Sequence, residues 1–340
     1  MAKHLTPGKL AGLQAISDDR GVVAAVALDQ RGILKKAITR AMCADDVPDS
    51  VIVEFKVLVA ESLTKFASAI LLDPEYGLPA AKRRNRKGLL LAYEFSNYDA
   101  PPPRMPILYD HWSVRRLKEA GADGIKVLLH YTPFDTPEIN DQKQAWVERV
   151  GDECRANDIP FVLEMLGYAT SGEDKKSLAY AKRKPEIVAR SVREFSKERY
   201  SADLLKVEVP VEMAFVPGSR SFRGEPAYTR AEAGEHFCNI DQCTRKPYVY
   251  LSAGVSHLEF VEALNFAAEC GSRFNGVLCG RATWQEGVPV FAQQGPKGLQ
   301  DWLDSTGVEH IRRVNEALRA ARPWHEKMPA SAPVADHVSE

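Results

Sequence analysis

What this sequence lacks narrows its class before any motif is considered. No run among its 340 residues approaches the roughly eighteen apolar residues that a membrane span needs, and Met1 to Leu13 carries no apolar stretch of signal-peptide length. A cytoplasmic protein is therefore expected. It lacks an excess of either charge: 45 Lys and Arg against 46 Asp and Glu leave a net charge of -1. The basic surplus with which nucleic-acid binders neutralise phosphate is missing, so neither nucleic acid nor a membrane is an expected partner. Its six cysteines, Cys43, Cys154, Cys238, Cys243, Cys270 and Cys279, include no Cys-x-x-Cys pair, which favours reduced thiols over disulfides or a zinc knuckle. Its eight histidines show neither His-x-His nor His-Glu-x-x-His spacing, and no Gly-x-Ser-x-Gly is present. Metal-dependent and serine-nucleophile chemistry thus both lack their usual signatures.

What is present is a regular alternation. Short runs rich in Val, Ile and Leu recur between longer amphipathic stretches: Val22 to Asp29, Ser68 to Asp73, Gly88 to Glu94, Gly124 to His130, Pro160 to Leu166, Leu204 to Pro210, Tyr248 to Gly254 and Gly276 to Gly280. Apolar runs of this length are the mark of a parallel sheet covered on both faces, and eight of them predict closure into a (β/α)8 barrel of α/β class. Between the first two runs, Val51, Phe55, Leu58, Val59, Leu63 and Phe66 recur at helical spacing. Before the eighth, Leu258, Val261, Leu264 and Ala268 do so behind Ser256 and Glu259, which have the spacing of a capping box. The mixed charges of Glu173 to Tyr200 predict a solvated helical face. Val211 to Tyr228, with Pro217, Gly218, Gly224 and Pro226, predicts a long loop after the sixth strand that overhangs a site. Residues 1–322 form the predicted barrel, and 323–340 a loosely ordered tail.

Charges inside apolar strands are the anomaly that points to function. Asp29, Asp73, Lys126, Glu164, Lys206, Glu208 and Arg281 lie inside or at the ends of these runs. A buried charge must be paired or serve a site, and in a barrel the carboxyl ends of the strands allow both. Period-two alternation in Leu-Leu-Lys-Val-Glu-Val-Pro puts Lys206 and Glu208 on one face, with Leu205, Val207 and Val209 on the other. With the apolar set toward the helices, Lys206 points inward, and Lys126 and Glu164 are expected to converge on it. Such a grouping suits amine chemistry: a lysine attacks a carbonyl only when deprotonated, and like charges roughly 5 Å apart at an effective dielectric of about 20 repel by about 3 kcal/mol. Glu164 is then the expected acid/base. The plainer alternative is a buried ion network that fills the barrel.

Ser252, Gly254, Gly280 and Arg281, in the turns after the seventh and eighth strands, are the expected anion site, because backbone N–H groups and an arginine fork there match a phosphate. The plainer alternative makes the serines turn residues and pairs Arg281 with a carboxylate. Cys279, beside them, is expected to serve packing.

The chain is similar to a known family, the tagatose 1,6-bisphosphate aldolases, class I enzymes of bacterial lactose and galactose breakdown. The resemblance runs from about Val23 to about Asn315. It rests on Ala-Leu-Asp-Gln-Arg-Gly (Ala27 to Gly32), Ile-Leu-Leu-Asp-Pro-Glu-Tyr-Gly (Ile70 to Gly77), Gly-Leu-Leu-Leu-Ala-Tyr-Glu (Gly88 to Glu94), Leu-Leu-Lys-Val-Glu-Val-Pro-Val (Leu204 to Val211), Tyr-Leu-Ser-Ala-Gly-Val-Ser (Tyr250 to Ser256) and Gly-Val-Leu-Cys-Gly-Arg-Ala-Thr-Trp (Gly276 to Trp284). The resemblance implies cleavage of tagatose 1,6-bisphosphate to dihydroxyacetone phosphate and glyceraldehyde 3-phosphate, with no metal and no organic cofactor. It places Lys206 at the Schiff-base position, Glu164 at the acid/base position, and Lys126 and Asp29 around the reacting carbons. Gln30 and Arg31 would contact the rest of the sugar.

Two segments depart from the pattern: Met165 to Thr170 is less acidic than expected, and Arg220 and Arg223 stand in an unusual loop. Both are expected near the distal end of the substrate, which keeps sulfofructose 1-phosphate and fructose 1,6-bisphosphate open as alternatives. Also open are a non-catalytic sugar-phosphate sensor and a metal-assisted lyase built on His111 and His130. The expected partners are a small phosphorylated sugar and, in a homo-oligomer, further copies of the chain.

Overall fold

A computed structural model describes residues 5–95, 100–170 and 172–328. Eight parallel strands close into a barrel: β1 (Val23–Leu28), β2 (Ala69–Leu72), β3 (Gly88–Ala92), β4 (Gly124–His130), β5 (Phe161–Leu166), β6 (Leu204–Glu208), β7 (Tyr248–Leu251) and β8 (Gly276–Cys279). Around the barrel the order is β1-β8-β7-β6-β5-β4-β3-β2, with β2 pairing β1 to close the ring. All eight expected strands form, with ends that differ by a residue or a few. The largest difference is after β3, where Glu94–Phe95 leaves the barrel and pairs antiparallel with Ile107–Leu108 in a small ribbon absent from the sequence reading.

Alternation sorts each strand between two cores. Outward-facing Leu163, Leu205, Val207, Val277 and Cys279 pack against the helices in the larger core. Inward-facing Val23, Ala25, Ala69, Leu71, Leu90, Val162, Leu204, Val249 and Leu278 fill the lower barrel with Leu13, Ile16 and Trp324. The helix Asp49–Leu63 covers the sheet through fully buried Phe55, Val59 and Leu63, and Phe55 meets Trp284 and Phe291 edge to face. Where β8 closes on β1, Gly276 has φ +133° and a Cβ there would lie 1.9 Å from the carbonyl oxygen of Val23, so only glycine lets the ring shut.

Several expectations need correction. The helix His257–Glu269 begins at the capping box of Ser256 and Glu259, but its buried stripe is Phe260, Ala263, Leu264 and Ala267, and Leu258 is exposed. Its two buried phenylalanines, Phe260 and Phe266, set the phase that the aliphatic spacing missed. The helix Leu178–Phe195 does turn lysines and arginines to solvent, yet Lys184 is buried against Glu212. Much of the 211–228 segment is packed against the protein and is not a free loop. Val211, Met213, Phe215, Val216 and Tyr228 are buried, and the backbone N–H of Arg220 bonds Glu262, which fastens the segment to the outer helices. The start of the predicted tail is ordered: Trp324 is buried at the foot of the barrel, where its backbone N–H bonds the Gly21 carbonyl and its indole N–H bonds Ser17. A large aromatic surface drives that docking. Residues 329–340 lie outside the described residues. Among the described residues no helix is long and apolar enough to cross a membrane.

Candidate active site

Register brings the charges together. Glu164 and Lys206 are direct partners across β5 and β6, one layer above the apolar pair Val162 and Leu204. Lys206 Nζ lies 2.8 Å from Glu164 Oε2. Lys126, whose Cα pairs with Val162, reaches up from β4 to the same Glu164 oxygen at 2.9 Å and also to Asp29 at 2.7 Å and Glu94 at 2.8 Å. Lys126 is fully buried, and Lys206 is 3% exposed. The two ammonium groups thus lie within two hydrogen-bond lengths of each other, bridged by one carboxylate.

Glu94 is the member of this cluster that sequence reading missed. It ends the third apolar run, and its position there was the available signal. Arg31, expected to touch the sugar, instead braces Glu94: its guanidinium donates to the Glu94 carbonyl at 2.8 Å and to the Tyr109 hydroxyl at 2.6 Å, and lies 3.5 Å from the Glu94 carboxylate. Counting Arg31, three cations face three carboxylates, so the cluster is electrically balanced. Burial alone would raise the Asp29 pKa, but Lys126 and then Lys206 outweigh it and hold that carboxyl well below the usual range. Asp73, the remaining strand carboxylate, belongs to a separate buried pair with Lys56.

Above this cluster opens a cleft of about 190 Å³ at the carboxyl ends of the strands. Lys206 and Glu164 line it, with Gln30, Ser252, Gly254, Gly280 and Arg281 on one flank and His130, Leu166, Arg104 and Lys175 on the other. Lys126 lies behind Glu164, and the cleft lining does not include Arg31, Arg220 or Arg223. Gly254 has φ +82°, and a Cβ there would come within 2.6 Å of the Arg281 guanidinium carbon. A glycine is required for the backbone to lie flat against that fork. Cys279 is buried in the outer core with its thiol pushed up to about 12 by burial, as suits a packing residue. All six cysteines are unpaired.

Glu208, on the same face as Lys206, also reaches the cleft, where it accepts from the Gly167 backbone N–H at 2.7 Å and lies 3.5 Å from Lys175. His130 is buried at the end of β4, whereas His111 is exposed against Tyr109 and Trp112, so the two histidines have separate surroundings. Among the described residues no group of three or more His, Cys, Asp or Glu side chains is placed to hold a metal ion.

A closed barrel whose mouth presents a lysine, a carboxylate at hydrogen-bond distance and an arginine-glycine anion pocket defines an enzyme suited to carbonyl chemistry on an anionic ligand. Residues 23–286 match the profile of DeoC/LacD family aldolases. The chain is 51% identical over 327 residues to a tagatose 1,6-diphosphate aldolase 2 of Enterococcus faecalis, covering 95% of this chain and 98% of that one. It is 47% identical over 322 residues to a tagatose 1,6-diphosphate aldolase of Staphylococcus aureus, covering 94% and 98%. Among solved structures, a fructose-bisphosphate aldolase from Plasmodium falciparum superposes with a TM-score of 0.68 over 94% of this chain and 98% of that one, at 14% identity, which is a likeness of fold alone. The chain belongs to the DeoC/LacD family of aldolases, and it is a carbon-carbon lyase.

Proposed function

We propose that this enzyme cleaves D-tagatose 1,6-bisphosphate to dihydroxyacetone phosphate and D-glyceraldehyde 3-phosphate through a Schiff base on Lys206. The observation that carries the reading is the Lys206 amine, facing the cleft with the Glu164 carboxylate 2.8 Å away. The tagatose 1,6-diphosphate aldolase relatives support the choice of substrate.

The chemistry follows from what each group can do. Glu164 takes a proton from the Lys206 ammonium, and the freed amine attacks the C2 carbonyl to form a carbinolamine. Glu164 returns the proton to the departing hydroxyl, which leaves as water and gives an iminium. A proton then moves from the C4 hydroxyl to the carboxylate, the C3–C4 bond breaks, and its electron pair flows into the iminium as an enamine while the aldehyde leaves. Protonation at C3 and addition of water release the ketone. Lys126, Asp29 and Glu94 act through Glu164 and set its position and charge balance. Ser252, Gly254, Gly280 and Arg281 hold the phosphate of the ketone half, with Gln30 beside the sugar.

Borohydride treatment in the presence of dihydroxyacetone phosphate should leave a mass adduct on Lys206. An active enzyme that acquires no adduct, or one on a different lysine, contradicts the assignment. Comparative rates with tagatose 1,6-bisphosphate, fructose 1,6-bisphosphate and sulfofructose 1-phosphate then identify the sugar. Binding without release of any triose would instead describe a sensor.

A further inference from the structure

The opposite end of the barrel carries a cavity larger than the cleft. At the amino ends of β1, β2 and β3 a basin of about 370 Å³ is lined by Ala24, Ser68 and Lys87, each within one residue of the start of its strand. That volume falls in the range of small-ligand sites, about 300–1,000 Å³. Lys65, Arg86 and Lys87 line the basin, and among the described residues no carboxylate pairs with any of the three. Arg20 also lines it but is held by Asp18, whose carboxylate accepts from the Arg20 side chain and from the backbone N–H groups of Arg20 and Val22. Along the described lining Asp19 alone is left to answer three cations, a surplus of two positive charges.

The sequence concentrates these charges. Lys82 to Lys87 holds five cations in six residues, in a chain whose net charge is -1. Such neighbours repel one another unless an anion answers them. Arg84 to Lys87 is a tight turn, closed by the Lys87 N–H on the Arg84 carbonyl at 3.0 Å, and its central residues Asn85 and Arg86 have φ +51° and +60°. A turn with both central φ positive ordinarily takes Asn-Gly, because a β-carbon in the left-handed region is strained. Here arginine stands in the glycine place. The Asn85 side-chain amide fastens the turn to the Glu61 carbonyl and the Thr64 hydroxyl, each at 2.9 Å, and Arg84 donates to the Lys87 carbonyl at 2.8 Å. Lys65 follows Thr64, so this anchor sets Arg86 and Lys87 around one hollow with Lys65. Strained backbone of this kind persists where its surroundings fix it, and it gathers at functional sites.

We propose that the basin is a second ligand site, separate from the cleft, which binds a compact and multiply charged phosphate or phosphate ester. Two surplus charges match a phosphate dianion, and guanidinium and ammonium groups are suited to donate to its oxygens. Lys82 and Arg83 make a longer polyanion the competing occupant, but the three unpaired cations surround a hollow of small-molecule size rather than a flat stripe.

Titration calorimetry with inorganic pyrophosphate tests the site in the Arg281→Ala enzyme, in which the anion pocket of the cleft is disabled. Pyrophosphate should bind there once per chain, with an affinity that falls as salt rises. Arg86→Gly and Lys87→Met, each added to Arg281→Ala, should weaken it about tenfold, as for loss of one charge-assisted hydrogen bond. Arg86→Gly suits a positive φ, so its thermal unfolding midpoint should hold while binding falls. Lys65→Met, at an exposed position, should weaken binding in the same way with little risk to folding. Inorganic phosphate and glucose 6-phosphate in parallel arms distinguish a free anion from an ester, and tighter binding of either supports the site. Absence of pyrophosphate binding to the Arg281→Ala enzyme overturns the proposal, as does binding that Arg86→Gly and Lys87→Met leave unchanged. Binding of an oligouridylate that pyrophosphate fails to displace also overturns it and assigns the surface to a polyanion.

Discussion

The lower and upper halves of the barrel interior are built from the same strands and the same inward-facing positions, yet they have opposite chemistry. Below, Val162 and Leu204 pair across β5 and β6; two residues further along the same strands, Glu164 and Lys206 pair. The lower half is closed by Leu13, Ile16 and Trp324, and excludes water. The upper half opens to the cleft, and its buried charges are tolerated because Lys126, Lys206 and Arg31 are matched by Asp29, Glu94 and Glu164. Height along a strand, not the face of the strand, decides whether a position packs in the core or faces the cleft.

That contrast can be broken from either side. The largest effect belongs to Lys206→Met, which should abolish turnover and borohydride trapping while the fold persists, because Glu164 retains Lys126 as a partner. A correctly folded variant with measurable trapping would remove Lys206 from the mechanism. Glu164→Gln should lower kcat about 10²- to 10⁴-fold, the usual range for loss of a general acid/base, and should leave phosphate-ligand affinity less affected. In the lower half the signs reverse: Leu204→Ala should cost about 2–5 kcal/mol of stability with kcat nearly retained, and urea unfolding with steady-state assays would show whether the two halves are separable. Arg281→Ala should weaken phosphorylated ligands about 10- to 100-fold, as for loss of a charged hydrogen-bond pair, with little change for unphosphorylated analogues. Equal losses for both would contradict a phosphate role.

The smallest expected effect concerns His257, which stacks on His310 with ring centroids 4.0 Å apart. Burial first, then His310 and Arg313, lower its pKa from 6.5 to about 4, against the Ala282 backbone and Glu309. A depressed histidine binds its proton more readily in the unfolded chain. Its contribution to stability is therefore complete above about pH 6.5 and is lost as pH falls toward about 4, which amounts to about 1 kcal/mol between about pH 7 and about pH 5.5. His257→Gln should flatten that part of a urea-midpoint profile, and an unchanged slope would remove the assignment.

Much of this fold was legible because its signal is local. Apolar runs of strand length and period-two alternation identified the eight strands and turned Lys206 inward and Leu205 outward, and the capping box of Ser256 and Glu259 located a helix start. Glu94 was overlooked although it ends the third apolar run on the inward phase of Leu90 and Ala92, because the strand pairing of the barrel stops before it and the chain turns into a ribbon there. Arg31 was misplaced for a related reason: its neighbour Gln30 lines the cleft, but one residue later the chain turns and the guanidinium faces Tyr109. Arg104 and Lys175 lie in irregular segments with no period to betray their direction. The 211–228 loop was read from its glycines and prolines, but its buried apolar residues decide where it packs.

The sequence by itself determined the class of fold, the direction of the strand side chains and the inward aim of Lys206, since each follows from composition and periodicity over a few neighbouring residues. Only the tertiary structure decided which charges share Glu164, that Lys126 supports the cleft from behind it, and that Arg104 and Lys175 line the mouth. Those relations depend on strand register and loop path between residues far apart in the chain, and no local pattern encodes them.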